Sequence, residues 1–179
     1  MAHLIIAERA RYELNLDFLY FVPSYIPPHK ADKTISSSEH RLHMVKIAVA
    51  DNPHLKVSDY EVSKKGTSYT VDTLKYFSQE YQLKPEELFL IMGADNFEDF
   101  DQWKNPEVIK SISQLVVADR PQTNKAHTPN FPAIQLDSPL LEISATAIRE
   151  RVKKGLSIRY LVPLEVENYI KMFKLYTSN

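Results

Sequence analysis

The chain has 179 residues, a net charge of −1, 44% hydrophobic and 25% charged residues, no cysteine and only three glycines, Gly66, Gly93 and Gly155. That length suits one domain with a sizeable core; the missing cysteine excludes disulfides, thiol nucleophiles and cysteine-held zinc or iron–sulfur clusters. A chain this long usually carries about 7% glycine, and three set so far apart build neither a dinucleotide fingerprint nor a Walker A loop, while the balanced charge offers no field for nucleic acid or an anionic membrane.

Residues 2–14 read as a helix and 18–22 as a continuous apolar strand that ends at Pro23, followed by a proline-rich loop over 23–35. The next helix is expected to open at Ser36, with Glu39 completing a capping box, to turn Leu42, Val45 and Val49 to one face, and to stop near Asn52-Pro53. Residues 55–62 read as one or two short strands. Gly66-Thr67-Ser68 introduces a helix with Val71, Leu74, Phe77 and Tyr81 inward, and 88–92 is the most apolar strand, closing on Gly93-Ala94-Asp95. Short helices over 96–102 and 105–112, strands at 115–118 and 133–136 and helices over 144–154 and 163–173 complete the chain. This alternation predicts an α/β fold with a mainly parallel sheet flanked by helices, in a single domain over 1–179. The longest apolar stretch, 88–94, is too short to span a bilayer, and the N-terminus lacks the flank and cleavage site of a signal peptide, so a cytoplasmic location is expected.

Ligands of open parallel sheets bind beyond the carboxyl ends of the strands, so the residues after each apolar run carry the chemical interest. Lys30 ends the loop after the first strand. Gly93 lets a ligand approach the backbone, and Asp95 could accept from a hydroxyl. Ser144 and Thr146 sit at a helix N-terminus with Arg149 one turn in, and Ala147 occupies the place where a capping box would put a glutamate, which leaves the positive helix end open to an anion. Ser144 read alone is an N-cap, Thr70 a cap or a ligand contact, and Trp103 a core filler or a stacking surface. His40 and His43 could face a metal together, but no third ligand accompanies them.

Taken together, these segments resemble the bacterial nicotinate-nucleotide adenylyltransferases of the nucleotidyltransferase superfamily. The match runs through Ala2-His3-Leu4, Ile26-Pro27-Pro28-His29-Lys30, Ser68-Tyr69-Thr70-Val71-Asp72-Thr73-Leu74, Gly93-Ala94-Asp95 with Trp103 eight residues on, Ile143-Ser144-Ala145-Thr146-Ala147-Ile148-Arg149 and Tyr160-Leu161-Val162-Pro163. The resemblance implies a Rossmann-like fold and adenylyl transfer from Mg²⁺-bound ATP to nicotinate mononucleotide in NAD biosynthesis, with neither nucleic acid nor membrane as partner. It implies catalytic roles for His3 and Arg149, ATP contacts from His3, Asp95, Ser144, Thr146 and Arg149, mononucleotide contacts from Lys30, Thr70 and Trp103, and no metal ligand from the protein. The family's first strand and its turn, Gly-Gly-x-Phe-Asp-Pro-x-His-x-Gly-His, are matched only at the last three positions, by Met1-Ala2-His3. Against that pattern the chain is expected to lack the first strand, to be incomplete at its N-terminus with the natural start upstream of Met1, and to turn over poorly, since one lost phosphate donor costs about 3 kcal/mol of transition-state stabilisation. Two rival readings are another adenylyltransferase, such as a pantetheine-phosphate adenylyltransferase, and a non-catalytic nucleotide-binding remnant.

Overall fold

The computed structural model describes residues 1–27, 36–118, 131–137 and 143–177. They fall into two compact units, one made of residues 1–67 and 141–179, the other of 68–140.

The first unit contains α1 (Ala2–Glu13), β1 (Leu19–Phe21), α2 (Ser38–Ala48), β2 (Leu55–Val57), the short α3 (Tyr60–Lys64), α7 (Ala145–Lys153) and α8 (Leu164–Met172). β1 and β2 run parallel, Leu19 opposite Leu55 and Phe21 opposite Val57, and α2 lies in the crossover that parallel pairing requires. Ala7, Val49 and Leu55 are buried at the centre of one apolar cluster, with Leu4, Leu19, Phe21 and Val57 around them. A second cluster is centred on Ile158, Val166 and Ile170 and receives Met44, Ile47 and Ala48 from α2 and Ile148 and Val152 from α7. The region around α2 therefore feeds two cores, whereas the sequence spacing picks out only the side of Leu42, Val45 and Val49.

Two boundaries differ from the sequence reading. Ser37, not Ser36, caps α2, its Oγ accepting the His40 amide at 3.3 Å, because the Ser36 hydroxyl is engaged with the Tyr176 hydroxyl at 2.8 Å. Residues 60–64 are helical rather than extended: Ser58 Oγ accepts the Tyr60 amide and the Ser63 hydroxyl donates to Asp59. These local bonds turn the chain where propensity alone favours a strand.

The second unit contains α4 (Thr70–Glu80), β3 (Phe89–Gly93), α5 (Ala94–Glu98), α6 (Pro106–Ile112), β4 (Gln114–Ala118) and β5 (Ile134–Leu136), with 3₁₀ turns at Pro85–Glu87 and Phe100–Gln102. Its three strands are parallel in the order β3-β4-β5, with Gly93 opposite Ala118 and Ala118 opposite Leu136, so their carboxyl ends are level. The central strand β4 is buried from Leu115 to Ala118, while β3, paired only with β4 among the described residues, is half-buried at Phe89, Leu90 and Ile91. α4 buries Val71, Leu74 and Phe77 as its spacing predicts, but Tyr81 at its end is 48% exposed. Phe100, wholly buried, meets Trp103 and Phe131 at ring separations of 5.4 and 5.2 Å, within the range of attractive aromatic pairs. Parallel strands flanked by helices match the Rossmann-like fold expected from the sequence. No helix among the described residues is long and apolar enough to cross a membrane.

Candidate functional site

In the first unit, Ser144 caps α7: its backbone is extended and its Oγ accepts the Ala147 amide at 3.1 Å. No acidic side chain occupies the first turn, where Ala145, Thr146 and Ala147 are exposed. Arg149, half-buried one turn in, donates Nη2–H to Thr146 Oγ1 at 3.1 Å. The three residues singled out from the sequence thus converge on one helix end, where the dipole and a guanidinium attract the same anion. His3 is exposed in the first turn of α1, and the Met1 ammonium before it donates to Leu161 O at 3.2 Å, joining the start of α1 to the segment that follows α7.

The Glu167 carboxylate, 5% exposed, bonds Lys171 and lies 3.6 Å from Arg159 of that same segment. The Lys171 hydrogen bond holds its carboxyl below the usual range, with a smaller pull from Arg159. Lys30 lies outside the described residues. On either side of the segment that carries it, the Arg41 guanidinium donates to Tyr25 O at 2.9 Å and to Ser36 O at 3.2 Å; burial lowers its pKa from the ordinary value, yet an arginine stays protonated. His40 Nδ1 is 2.8 Å from the Tyr169 hydroxyl and His43 stacks on the Tyr169 ring at 4.6 Å, so both histidines are engaged in packing α2 on α8. Among the described residues no three metal-binding side chains cluster.

In the second unit, β3 delivers Gly93 directly to the start of α5, with Asp95 exposed in the first turn. Gly93 has φ −79°, open to any residue, and a Cβ built on it meets nothing within 4 Å; its backbone is bare toward open space. Thr70 is the first residue of α4, whose N-cap Tyr69 supplies no side-chain bond. Trp103 ends the 3₁₀ turn, its amide bonded to Phe100 O at 3.0 Å and its ring, half-buried, tilted against Phe100. Next to it, the Lys104 ammonium lies 4.0 Å above the Tyr69 ring, a contact worth about 0.5–1 kcal/mol at an exposed position. That contact links the residue before Thr70 to the residue after Trp103, and so brings two segments some thirty positions apart to one corner of the unit.

The sequence assigns no role to Tyr69, which it names only within a matched segment, or to Lys104, whose only signal there is adjacency to Trp103. Chemically, the first unit offers an anion seat with fixed N–H donors and a cation. The second offers an aromatic wall, a hydroxyl, an exposed carboxylate and an ammonium.

Comparison with known proteins gives the ancestry of this arrangement. A family model described as cytidylyltransferase-like matches residues 1–151. A probable nicotinate-nucleotide adenylyltransferase of Enterococcus faecalis is 40% identical over 177 residues, covering 98% of this chain and 78% of the relative. Its counterpart in Desulfitobacterium hafniense is 43% identical over 97% of this chain and 88% of its own length. Among solved structures, the Plasmodium falciparum nicotinic acid mononucleotide adenylyltransferase complexed with NaAD matches with a TM-score of 0.76 over 98% of this chain and 90% of that one, at 18% identity, which speaks for the fold. With the α7 helix end and the corner at Trp103 formed by the segments that carried the sequence resemblance, the chain belongs to the cytidylyltransferase-like group and, within it, to the nicotinate-nucleotide adenylyltransferase family.

Proposed function

We propose that this chain transfers the adenylyl group of ATP to nicotinate mononucleotide, giving nicotinate adenine dinucleotide and pyrophosphate, a step of NAD biosynthesis. An oxygen of the mononucleotide 5′-phosphate attacks the α-phosphorus of ATP in line; the new P–O bond forms as the bond to the bridging oxygen of pyrophosphate breaks, and pyrophosphate leaves with that electron pair. Such chemistry asks a protein to place two polyanions and to offset their charge, with no covalent intermediate. Mg²⁺ enters as part of the substrate, chelated by the ATP phosphates.

On this reading the N-terminus of α7, Thr146 and Arg149 receive ATP phosphates, Ser144 holds the helix end in shape, and His3 adds a donor. Arg149 and His3 act on charge that builds up as pyrophosphate departs. Asp95 accepts from a nucleotide hydroxyl while the bare backbone at Gly93 lets the nucleotide lie close. Thr70 and the indole of Trp103 receive the nicotinate ring, and Lys30 meets the mononucleotide phosphate. The observation that carries the reading is the exposed first turn of α7, free of acidic side chains and backed by Arg149.

The test is turnover of Mg-ATP with nicotinate mononucleotide and, separately, with phosphopantetheine, following pyrophosphate release and separating products by chromatography. Nicotinate adenine dinucleotide is the expected product. Product from phosphopantetheine alone, or ATP binding by calorimetry with no product from either acceptor, would overturn the proposal.

A further inference from the structure

We infer that Lys104 is a specificity-determining residue that selects a pyridine mononucleotide carrying a carboxylate over one carrying a neutral carboxamide; the inference rests on the reading in which Thr70 and Trp103 receive the pyridine ring. Residues 95–110 hold five carboxylates, Asp95, Glu98, Asp99, Asp101 and Glu107, against two lysines. Lys110 is committed, its Nζ 2.6 Å from Glu107 and 4.8 Å above the Phe131 ring. Lys104 pairs with no carboxylate among the described residues; its ammonium rests on the Tyr69 face at 4.0 Å. An anionic ring that enters beside Trp103 meets an acidic stretch of chain, and Lys104 is the cation next to Trp103 that pairs with no carboxylate among the described residues. A neutral amide ring feels neither the repulsion nor the rescue.

The backbone under Lys104 is fixed. The Trp103 amide is bonded to Phe100 O, Asn105 adopts a left-handed conformation at φ 54° as the N-cap of α6, and Pro106 starts that helix. Only the exposed side chain of Lys104 has to move, from the face of the half-buried Tyr69 ring, which holds it weakly, to a carboxylate that attracts it more strongly. Tyr69 serves as the resting place: it keeps the ammonium beside Thr70 and away from the neighbouring acids while no ligand is bound.

Calorimetric titration of the protein with nicotinate mononucleotide and with nicotinamide mononucleotide, repeated for Lys104→Met and Lys104→Arg, tests this directly. The wild-type chain should bind the acid more tightly; in Lys104→Met the ratio of the two affinities should fall about tenfold, the loss of one charge-assisted contact, and Lys104→Arg should restore most of it. The acid's advantage should also shrink as ionic strength rises. An acid-to-amide ratio unchanged in Lys104→Met overturns the role of Lys104 while leaving the ring site standing. A wild-type chain that binds neither mononucleotide overturns the ring site itself, and Lys104's role with it.

Discussion

The turn of α7 in the first unit and the turn at Trp103 in the second hold their candidate binding residues by different means. The candidate phosphate-binding side chains of α7 are held by polar bonds, Ser144 Oγ on the Ala147 amide and Arg149 on Thr146, on a helix whose Ile148 and Val152 pack against the Ile158 cluster. Trp103 is set by apolar mass, its ring against the wholly buried Phe100, which meets Phe131, which in turn meets Phe97. The difference follows from what each place is proposed to hold. Phosphate oxygens are met by N–H groups and guanidinium fixed at hydrogen-bond distance, whereas a flat ring needs a rigid wall and little else. Substitutions that attack each means of support should therefore give opposite signatures.

The largest effect should come from Phe100→Ala, which empties a fully buried aromatic site and should lower the unfolding free energy by about 3–5 kcal/mol in urea titration; a loss below about 1 kcal/mol would mean that the Trp103 wall does not depend on that ring. Arg149→Ala should do the reverse, raising the dissociation constant of ATP about a hundredfold, roughly 3 kcal/mol, with the urea midpoint nearly unmoved because the bond to Thr146 is exposed. If both quantities shifted together, the contrast between a charge seat and a packed wall would fail. Ser144→Ala should cost about 1 kcal/mol of stability through the lost N-cap and weaken ATP binding less than Arg149→Ala does, as expected of a residue that shapes the helix end.

Acid unfolding probes a second polar group of the first unit, the Glu167 carboxylate with Lys171 and Arg159. The Glu167 carboxyl is held below its ordinary value of about 4.3 by Lys171 and Arg159, so its contribution is fully present above that pH and disappears as pH falls through the depressed native value. Stability measured across pH 2–7, on the order of the whole carboxylate range, should show wild type ahead of Glu167→Gln at neutral pH, with the gap closing on acidification; a gap constant with pH would assign Glu167 a packing role alone. Smallest of all should be the stability change in Gly93→Ala, within about 0.5 kcal/mol, since nothing lies within 4 Å of a Cβ there. Any effect of that methyl should appear only in nucleotide titrations, where the bare backbone matters.

Much of this was legible in the sequence because it is decided locally. The 3.6-residue spacing of Val71, Leu74 and Phe77 and the Ser144 cap depend on neighbours within a turn or two, and they stand where that spacing puts them. What escaped is decided over distance. Ser36 loses the cap of α2 to Ser37 because Tyr176, 140 residues away, engages its hydroxyl. The second apolar side of α2, Met44, Ile47 and Ala48, has meaning only once α8 is in place. Lys104 carries no signal of its own in the sequence until Tyr69 is brought beneath it. Residues 60–64 became a helix through Ser58 and Asp59, a short-range effect that strand propensity at Val62 concealed.

The division of the chain also sets an order of events during synthesis. Residues 68–140 form one continuous stretch, whereas the first unit is assembled from residues 1–67 and 141–179. As the polypeptide emerges from the ribosome N-terminal end first, β3, β4 and β5 can pair as soon as residue 136 is out. α2 must wait for α8, because the partners of Ser36, His40 and Met44 include Tyr176, Tyr169 and the Ile158 cluster. The nascent chain thus carries the early half of its first unit with an uncovered apolar side until the last forty or so residues arrive. A stalled or truncated product would expose that side to chaperones and proteases.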